Sequence, residues 1–266
     1  MLCRVFGRSK SSSSLQKKLE KEPTKYAVGT RLIQDVIGIR VVLYFQEDIE
    51  IVKKALCKKY KFDMQSSTID LPASDQFSVT RFNLIFKIPD QYLDSFYSEI
   101  ADLPIDNTLE IQLRSMLSEG WHEVEHDMRY KNKENWDNQT DLSRALNGIM
   151  ATLETSEWGM KKIFDDLAYR HYKTKNWNGM LQNKLRMRIN SKLSEEISKL
   201  LDDNPTLAKE IYRIDKSSII ETIGKLHAQI PLSLDNLVYI WNFINLNNAE
   251  ISAITPNTLI DRLQKI

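Results

Sequence analysis

Between Glu110 and Arg114 the chain reads Glu-Ile-Gln-Leu-Arg, and that alternation constrains the fold more than any other stretch. With a period of two, a strand sets Glu110, Gln112 and Arg114 on one face and Ile111 and Leu113 on the other. The segment predicts a sheet with one apolar side and one side carrying a carboxylate, an amide and a guanidinium. A solvated edge strand would show the same alternation. Immediately downstream, Ser118 to Lys131 has helical spacing, with Trp121, Glu125 and Met128 along one side and His122, His126 and Arg129 beside them. A Glu125–Arg129 surface pair at i,i+4 accounts for part of this pattern. The density of acid, base and aromatic groups predicts one wall of a phosphate-handling site.

Strand-like patterns are confined to the first half. Asp35 to Phe45 reads as a buried strand eased in by Gly38, Ile49 to Lys59 as a helix, and Arg81 to Ile88 as a strand ending at Pro89. From Leu142 onward only helical spacing appears, in Leu142–Leu153, Trp158–Tyr172, Met180–Leu201, Leu207–Tyr212, Ser217–Gln229, Leu234–Leu246 and Thr258–Lys265. Breaks fall at Asn204-Pro205, Ile230-Pro231 and Thr255-Pro256. The expected division is a domain over 1–135 and a helical accessory or regulatory region over 140–266. In that second region Trp158, Tyr169, Tyr172, Trp177 and Trp241 are expected in the core. Its cations, Lys173, Lys175, Lys184, Arg186 and Arg188, offer a modest basic strip for RNA, although a solvated helix face is the first expectation.

The N-terminal run Arg8-Ser9-Lys10-Ser11-Ser12-Ser13-Ser14 has two readings. It is either a disordered basic tail or a loop with Ser14 capping a helix, an arrangement that gathers hydroxyls, N–H groups and ammonium ions where anions bind. The formal net charge of +1 gives no global pull toward nucleic acid, so any attraction for phosphate is local. Cys3 and Cys57 build neither a disulfide framework nor a zinc site, and His122, His126, His171 and His227 do not change that. With no apolar run of about twenty residues and no signal-peptide core, the expected setting is the cytoplasm, away from membranes.

Three motifs, taken in order, resemble the synthetase domain of the RelA/SpoT family, including its small alarmone synthetases and their toxic relatives. The first is R-x-K-S-x-x-S-x-x-x-K at Arg8, Lys10, Ser11, Ser14 and Lys18; the second is D-x-x-G-x-R at Asp35, Gly38 and Arg40. The third is E-x-Q-x-R at Glu110, Gln112 and Arg114, followed by W-x-E-x-E-H-x-x-x-Y-K at Trp121, Glu123, Glu125, His126, Tyr130 and Lys131. The resemblance implies an α+β nucleotidyltransferase-like fold, a mixed β-sheet with flanking helices, followed by the all-helical C-terminal region. It also implies transfer of pyrophosphate from ATP to the 3′ hydroxyl of a guanosine nucleotide with Mg2+ as cofactor. Arg8, Lys10, Ser11, Ser14, Lys18 and Arg40 would then bind ATP, and Asp35 would hold the metal. Glu110 would complete the metal site or act as base, with Gln112 and Arg114 steadying substrate and carboxylate.

On the acceptor side the chain departs from the resemblance. Family members that make guanosine tetra- or pentaphosphate carry a G-Y-x-S-x-H loop; counting back from Pro89, this chain has Ser78, Val79, Thr80, Arg81, Phe82 and Asn83 there. A stacking ring is worth about 1–3 kcal/mol per base, so its replacement bears on the acceptor. Phe77 or Phe82 is the candidate replacement ring, and Arg81, Phe82, Asn83, His126 and Lys131 are the expected acceptor contacts. GDP or GTP is the first expected acceptor; the 3′ end of tRNA, as in toxic relatives, or an adenosine nucleotide is the second. A nucleotide-binding sensor without activity is the alternative of another class. The helical half is expected to serve a homo-oligomer or a regulator. The basic-serine motif begins almost at Met1, without the helices that usually precede it, and no hydrolase domain is expected.

Overall fold

The computed structural model describes residues 2–21, 23, 25–26, 32–70, 81–100, 103–226 and 230–266. Its first compact unit is Leu2–Glu157 and its second is Trp158–Ile266. The first holds β1 (Leu2–Ser9), α1 (Ser12–Lys21), β2 (Ile37–Leu43), α2 (Glu47–Lys59), β3 (Phe62–Ile69), β4 (Phe82–Lys87), α3 (Leu93–Ile100), β5 (Thr108–Ser115) and α4 (Met116–Val124). The strands form one mixed sheet in the order β1-β2-β5-β4-β3, in which β2 and β5 run parallel and the other neighbours antiparallel. A mixed sheet with flanking helices is therefore present, and β5 is its central strand rather than an edge.

Register sorts the two faces. Arg40 lies beside Gln112 across β2 and β5, and Gln112 lies beside Asn83 across β5 and β4, so these side chains share a face. The opposite face carries Val41, Ile111, Leu113, Leu84, Phe82 and Phe86, all buried. Each fully buried aliphatic or aromatic side chain contributes about 1.5–3 kcal/mol, which pins the register: a one-residue slip would turn every polar group into the core.

Two strands escape the sequence pattern for the same reason. β1 and β3 are the edge strands of this sheet, so ladder hydrogen bonds rather than burial hold them. Val5 and Phe6 are accordingly exposed. In β3 polar side chains bond locally, Ser67 Oγ donating to the Asp63 carbonyl at 2.6 Å. The basic-serine run is thus a strand leading into a helix, and the cap is Ser11, whose Oγ accepts from the Ser14 N–H at 3.3 Å, not Ser14.

Beyond α4 the helix widens over Glu125–Arg129 and then tightens over Tyr130–Trp136. This rotates the face: Trp121 is buried as expected, whereas Met128 is 63% exposed. The next element, α5 (Thr140–Lys173), is one helix where two were expected. Its interruption in the apolar pattern contains Glu154 and Glu157, both buried polar residues. The boundary between the two units falls within α5, after Glu157, so the first unit runs past the expected 135.

The second unit continues with α6 (Trp177–Leu185), α7 (Glu195–Asp203), α8 (Pro205–Tyr212), α9 (Lys216–Lys225), α10 (Leu234–Trp241), α11 (Ala249–Ile254) and α12 (Asn257–Leu263). No described residue of this unit lies in a strand. The expected Met180–Leu201 helix is broken because Arg186 takes a left-handed conformation, φ 49°. Side-chain caps at Ser194, Asn204, Asp215, Ser233 and Asn248 start the short helices. Gly179 is required in α6, since a Cβ there would stand 2.9 Å from the His171 ring. Trp177 and Trp241 are core, but Trp158 and Tyr169 are exposed, contrary to expectation. Residues 227–229, the end of one expected helix, lie outside the described residues, as does His227. Among the described residues no helix is long and apolar enough to cross a membrane.

Candidate active site

The polar face of the sheet gathers most of the residues singled out in the sequence. From the N-terminal motif, Lys10 Nζ lies 2.6 Å from one Asp35 oxygen and Lys18 Nζ lies 2.9 Å from the other. The strand-to-helix turn between β1 and α1 brings the two lysines to one carboxylate, while Ser11 and Ser14, hydrogen-bonded to each other, stay exposed at the start of α1. Arg8 leans over Gly38, where a Cβ would stand 3.7 Å from its Cγ. That is ordinary van der Waals distance, and Gly38 in turn lies beside Glu110 across β2 and β5.

On β5 the Gln112 amide links two groups. Its Nε2 donates to Glu110 Oε2 at 2.9 Å and its Oε1 accepts from Arg40 Nε at 3.1 Å. Arg40 also donates Nη1 to Glu119 at 2.6 Å and to Glu123. Glu119 was not among the expected site residues. Its signal lay in the spacing, since Glu119 and Glu123 at i,i+4 must share a helix face. Arg114 does not pair with Glu110; its Nη2 donates to Asn83 Oδ1 at 3.1 Å.

Burial and charge oppose each other at these groups. Burial alone would raise the Asp35 carboxyl, but hydrogen bonds and charge from Lys10 and Lys18 outweigh it and hold the group below 3.8. Glu110 goes the other way: burial pushes it above 4.5, the Gln112 hydrogen bond opposes, and the neighbouring Asp35 charge adds to the rise. Two carboxylates close enough to feel each other are thereby tuned in opposite directions, the pattern of a site with a permanently charged group beside a proton acceptor. Arg114 is driven down to about 10, mainly by burial.

The donor set suits magnesium. That ion keeps most of its ligands on water and substrate phosphates and takes only one or two carboxylates from protein. Asp35 and Glu110 provide two, and among the described residues no cluster of three or more His, Cys, Asp or Glu forms an all-protein cage.

The expected acceptor contacts are not brought together. Phe82 is 4% exposed on the apolar face opposite Leu113, so its ring is core and not a stacking surface. Arg81 is exposed and paired with Asp70 at 2.6 Å. Asn83 does face the site, through Arg114. His126 and Lys131 are exposed and both engage Asp127, at 3.0 and 2.7 Å, and the His126 ring stacks on Tyr130. Phe77, Ser78, Val79 and Thr80 lie outside the described residues.

Residues 7–135 match the family described as "Region found in RelA / SpoT proteins". GTP pyrophosphokinase YjbM of Bacillus subtilis (strain 168) is 26% identical over 128 residues, covering 48% of this chain and 56% of that protein. The chain thus spans little more than half the length of that relative. Superposed on the crystal structure of small alarmone synthetase 1 from Bacillus subtilis, 61% of this chain and 78% of that one give a TM-score of 0.44 at 22% identity. The structure of that synthetase bound to its product pppGpp gives 0.48 at 22% identity, over 63% and 80%. The motifs at Arg8–Lys18, Asp35–Arg40 and Glu110–Lys131 fall in the matched segment, and residues 7–135 of this chain form a RelA/SpoT-type domain.

Proposed function

We propose that this domain transfers the pyrophosphoryl group of ATP to the 3′ hydroxyl of a guanosine nucleotide, giving a (p)ppGpp-type product in the cytoplasm. The observation that carries the reading is the sheet face itself. A charged Asp35 flanked by two lysines sits within electrostatic reach of a half-buried Glu110 whose proton affinity is raised.

Chemically, the acceptor oxygen attacks the β-phosphorus, the bond from that phosphorus to the oxygen bridging the α-phosphorus breaks, and AMP leaves. Arg8, Lys10, Lys18 and the hydroxyls of Ser11 and Ser14 bind the triphosphate. When ATP arrives, Lys10 and Lys18 turn from Asp35 to phosphate oxygens, which frees the carboxylate. A magnesium ion held by Asp35 would supply charge neutralisation on the phosphates, which leaves the Glu110 carboxylate uncoordinated. Glu110 takes the proton of the attacking hydroxyl, and its raised proton affinity suits a base. Gln112 fixes the Glu110 carboxylate and the Arg40 guanidinium in one frame. Arg40→Lys is expected to lower the initial rate about tenfold with an unchanged circular dichroism spectrum, because a single ammonium cannot span Gln112 and both glutamates.

A second reading is favoured by the acceptor side. The G-Y-x-S-x-H pattern is absent, and Phe82 is core. The 3′ end of tRNA or an adenosine nucleotide then takes the place of the guanosine acceptor. Incubation of ATP labelled at the γ-phosphate with GDP, GTP, adenosine nucleotides or deacylated tRNA separates the two. Label on GDP or GTP supports the first reading, label only on tRNA or an adenosine nucleotide the second, and label on none of them refutes transfer.

A further inference from the structure

The corner where β5 turns into α4 is held from outside the RelA/SpoT segment. Ser115 ends β5 and caps α4, its Oγ accepting from the Ser118 N–H at 3.3 Å. The same hydroxyl donates to Glu157 Oε2 at 2.7 Å, and Glu157 Oε1 accepts the backbone N–H of Gln46, the residue preceding α2. Glu157 is 4% exposed and Ser115 2%. One carboxylate on α5 thereby joins the end of the central strand, the start of α4 and the start of α2.

Beside this tie lies a cavity of about 10 Å3, the size of one water, lined in part by Arg114, Ser118, Met150 and Glu154. Arg114 Nη1 and Glu154 Oε2 are buried there with no hydrogen-bond partner. A charged donor and a carboxylate acceptor around a water-sized space suit a bridging water. Buried carboxylates cost stability relative to apolar packing, so helix packing alone does not account for Glu154 and Glu157. The corner they hold also directs two parts of the site. The strand before it carries Glu110, Gln112 and Arg114, and the helix after it carries Glu119 and Glu123, which grip Arg40.

We propose that Glu157 is a positioning residue for pyrophosphate transfer, acting through Ser115 to fix the β5–α4 corner, with one water joining Arg114 to Glu154 beneath it. The inference rests on the transfer reaction proposed above. It gives the first half of α5, beyond residue 135, a part in the chemistry of the domain.

The test compares Ser115→Ala, Glu157→Ala, the double variant and Glu157→Gln in the full chain. Each alanine variant is expected to lower kcat about 10- to 30-fold with KM for ATP within about threefold. The double variant falls no more than about twofold below the worse single one, because the two changes break one interaction. Glu157→Gln, which keeps an acceptor, loses less than about fivefold. Single variants with kcat within about twofold of wild type, whatever their melting temperatures, overturn the proposal, as do losses that simply multiply. Hydrogen exchange across residues 110–124 with a non-hydrolysable ATP analogue bound gives an activity-independent reading: Glu157→Ala is expected to speed it, and unchanged protection overturns the tie. Wild-type protein that binds ATP and transfers nothing refutes the reaction instead, and the exchange result then decides the tie alone.

Discussion

Glu110→Gln is expected to reduce pyrophosphate transfer about 10³-fold while ATP affinity stays within about threefold. The substitution keeps the size of the side chain and a hydrogen-bonding oxygen toward Gln112 Nε2, which lies 2.9 Å from the native carboxylate. What it removes is the capacity to accept a proton. Because burial raises Glu110 above 4.5 and Asp35 adds to the rise, the native carboxylate is a stronger base than an exposed glutamate. Steady-state kinetics with labelled ATP, alongside displacement of a fluorescent ATP analogue, separate lost chemistry from lost binding. A variant that retains a tenth of the wild-type kcat would remove Glu110 from the role of base.

Asp35→Asn is expected to lower transfer at least 100-fold and to raise the magnesium concentration needed for half-maximal rate. It has a second effect that needs no substrate. In the folded protein Asp35 is held below 3.8 by Lys10 and Lys18 against the opposing effect of burial, so its contribution to stability is fully present above the unfolded value. That contribution is lost as pH falls through the depressed folded value. Urea midpoints measured over roughly pH 2 to 6 should therefore fall less steeply toward acid in Asp35→Asn than in wild type. Superimposable curves would mean that the paired lysines contribute nothing to the fold.

The parts of this architecture legible in the sequence are those where side-chain chemistry and burial agree. β2, β4 and β5 carry the buried apolar side chains of the sheet, and the apolar run in β2 and the alternation in β4 and β5 predict them to within a few residues. β1 and β3 were missed because an edge strand need bury little, and its pairing leaves no mark on hydropathy. The apolar spacing of α5 reads as two helices because Glu154 and Glu157 interrupt it, yet both are buried within the first unit. The same substitution of buried polar for apolar hid their connection to Ser115. Within the site, spacing predicted which face Glu110, Gln112 and Arg114 share, but could not predict that Gln112 bonds both Glu110 and Arg40. Nor could it assign Arg114 to Asn83, since that contact depends on strand order and register rather than on nearness in sequence. Phe82 illustrates the converse: an aromatic residue next to an expected binding loop is core because period two turns it toward Leu113.

In the proposed reaction the β- and γ-phosphates leave ATP together and arrive together on the acceptor. Parallel reactions with ATP labelled at the β- or at the γ-phosphate, followed by measurement of AMP, ADP, free pyrophosphate and labelled acceptor, show whether they do. The expected result is one AMP formed per acceptor labelled, with both labels transferred equally. ADP with only the γ-label transferred, or AMP with all of the label in free pyrophosphate, would rule pyrophosphoryl transfer out.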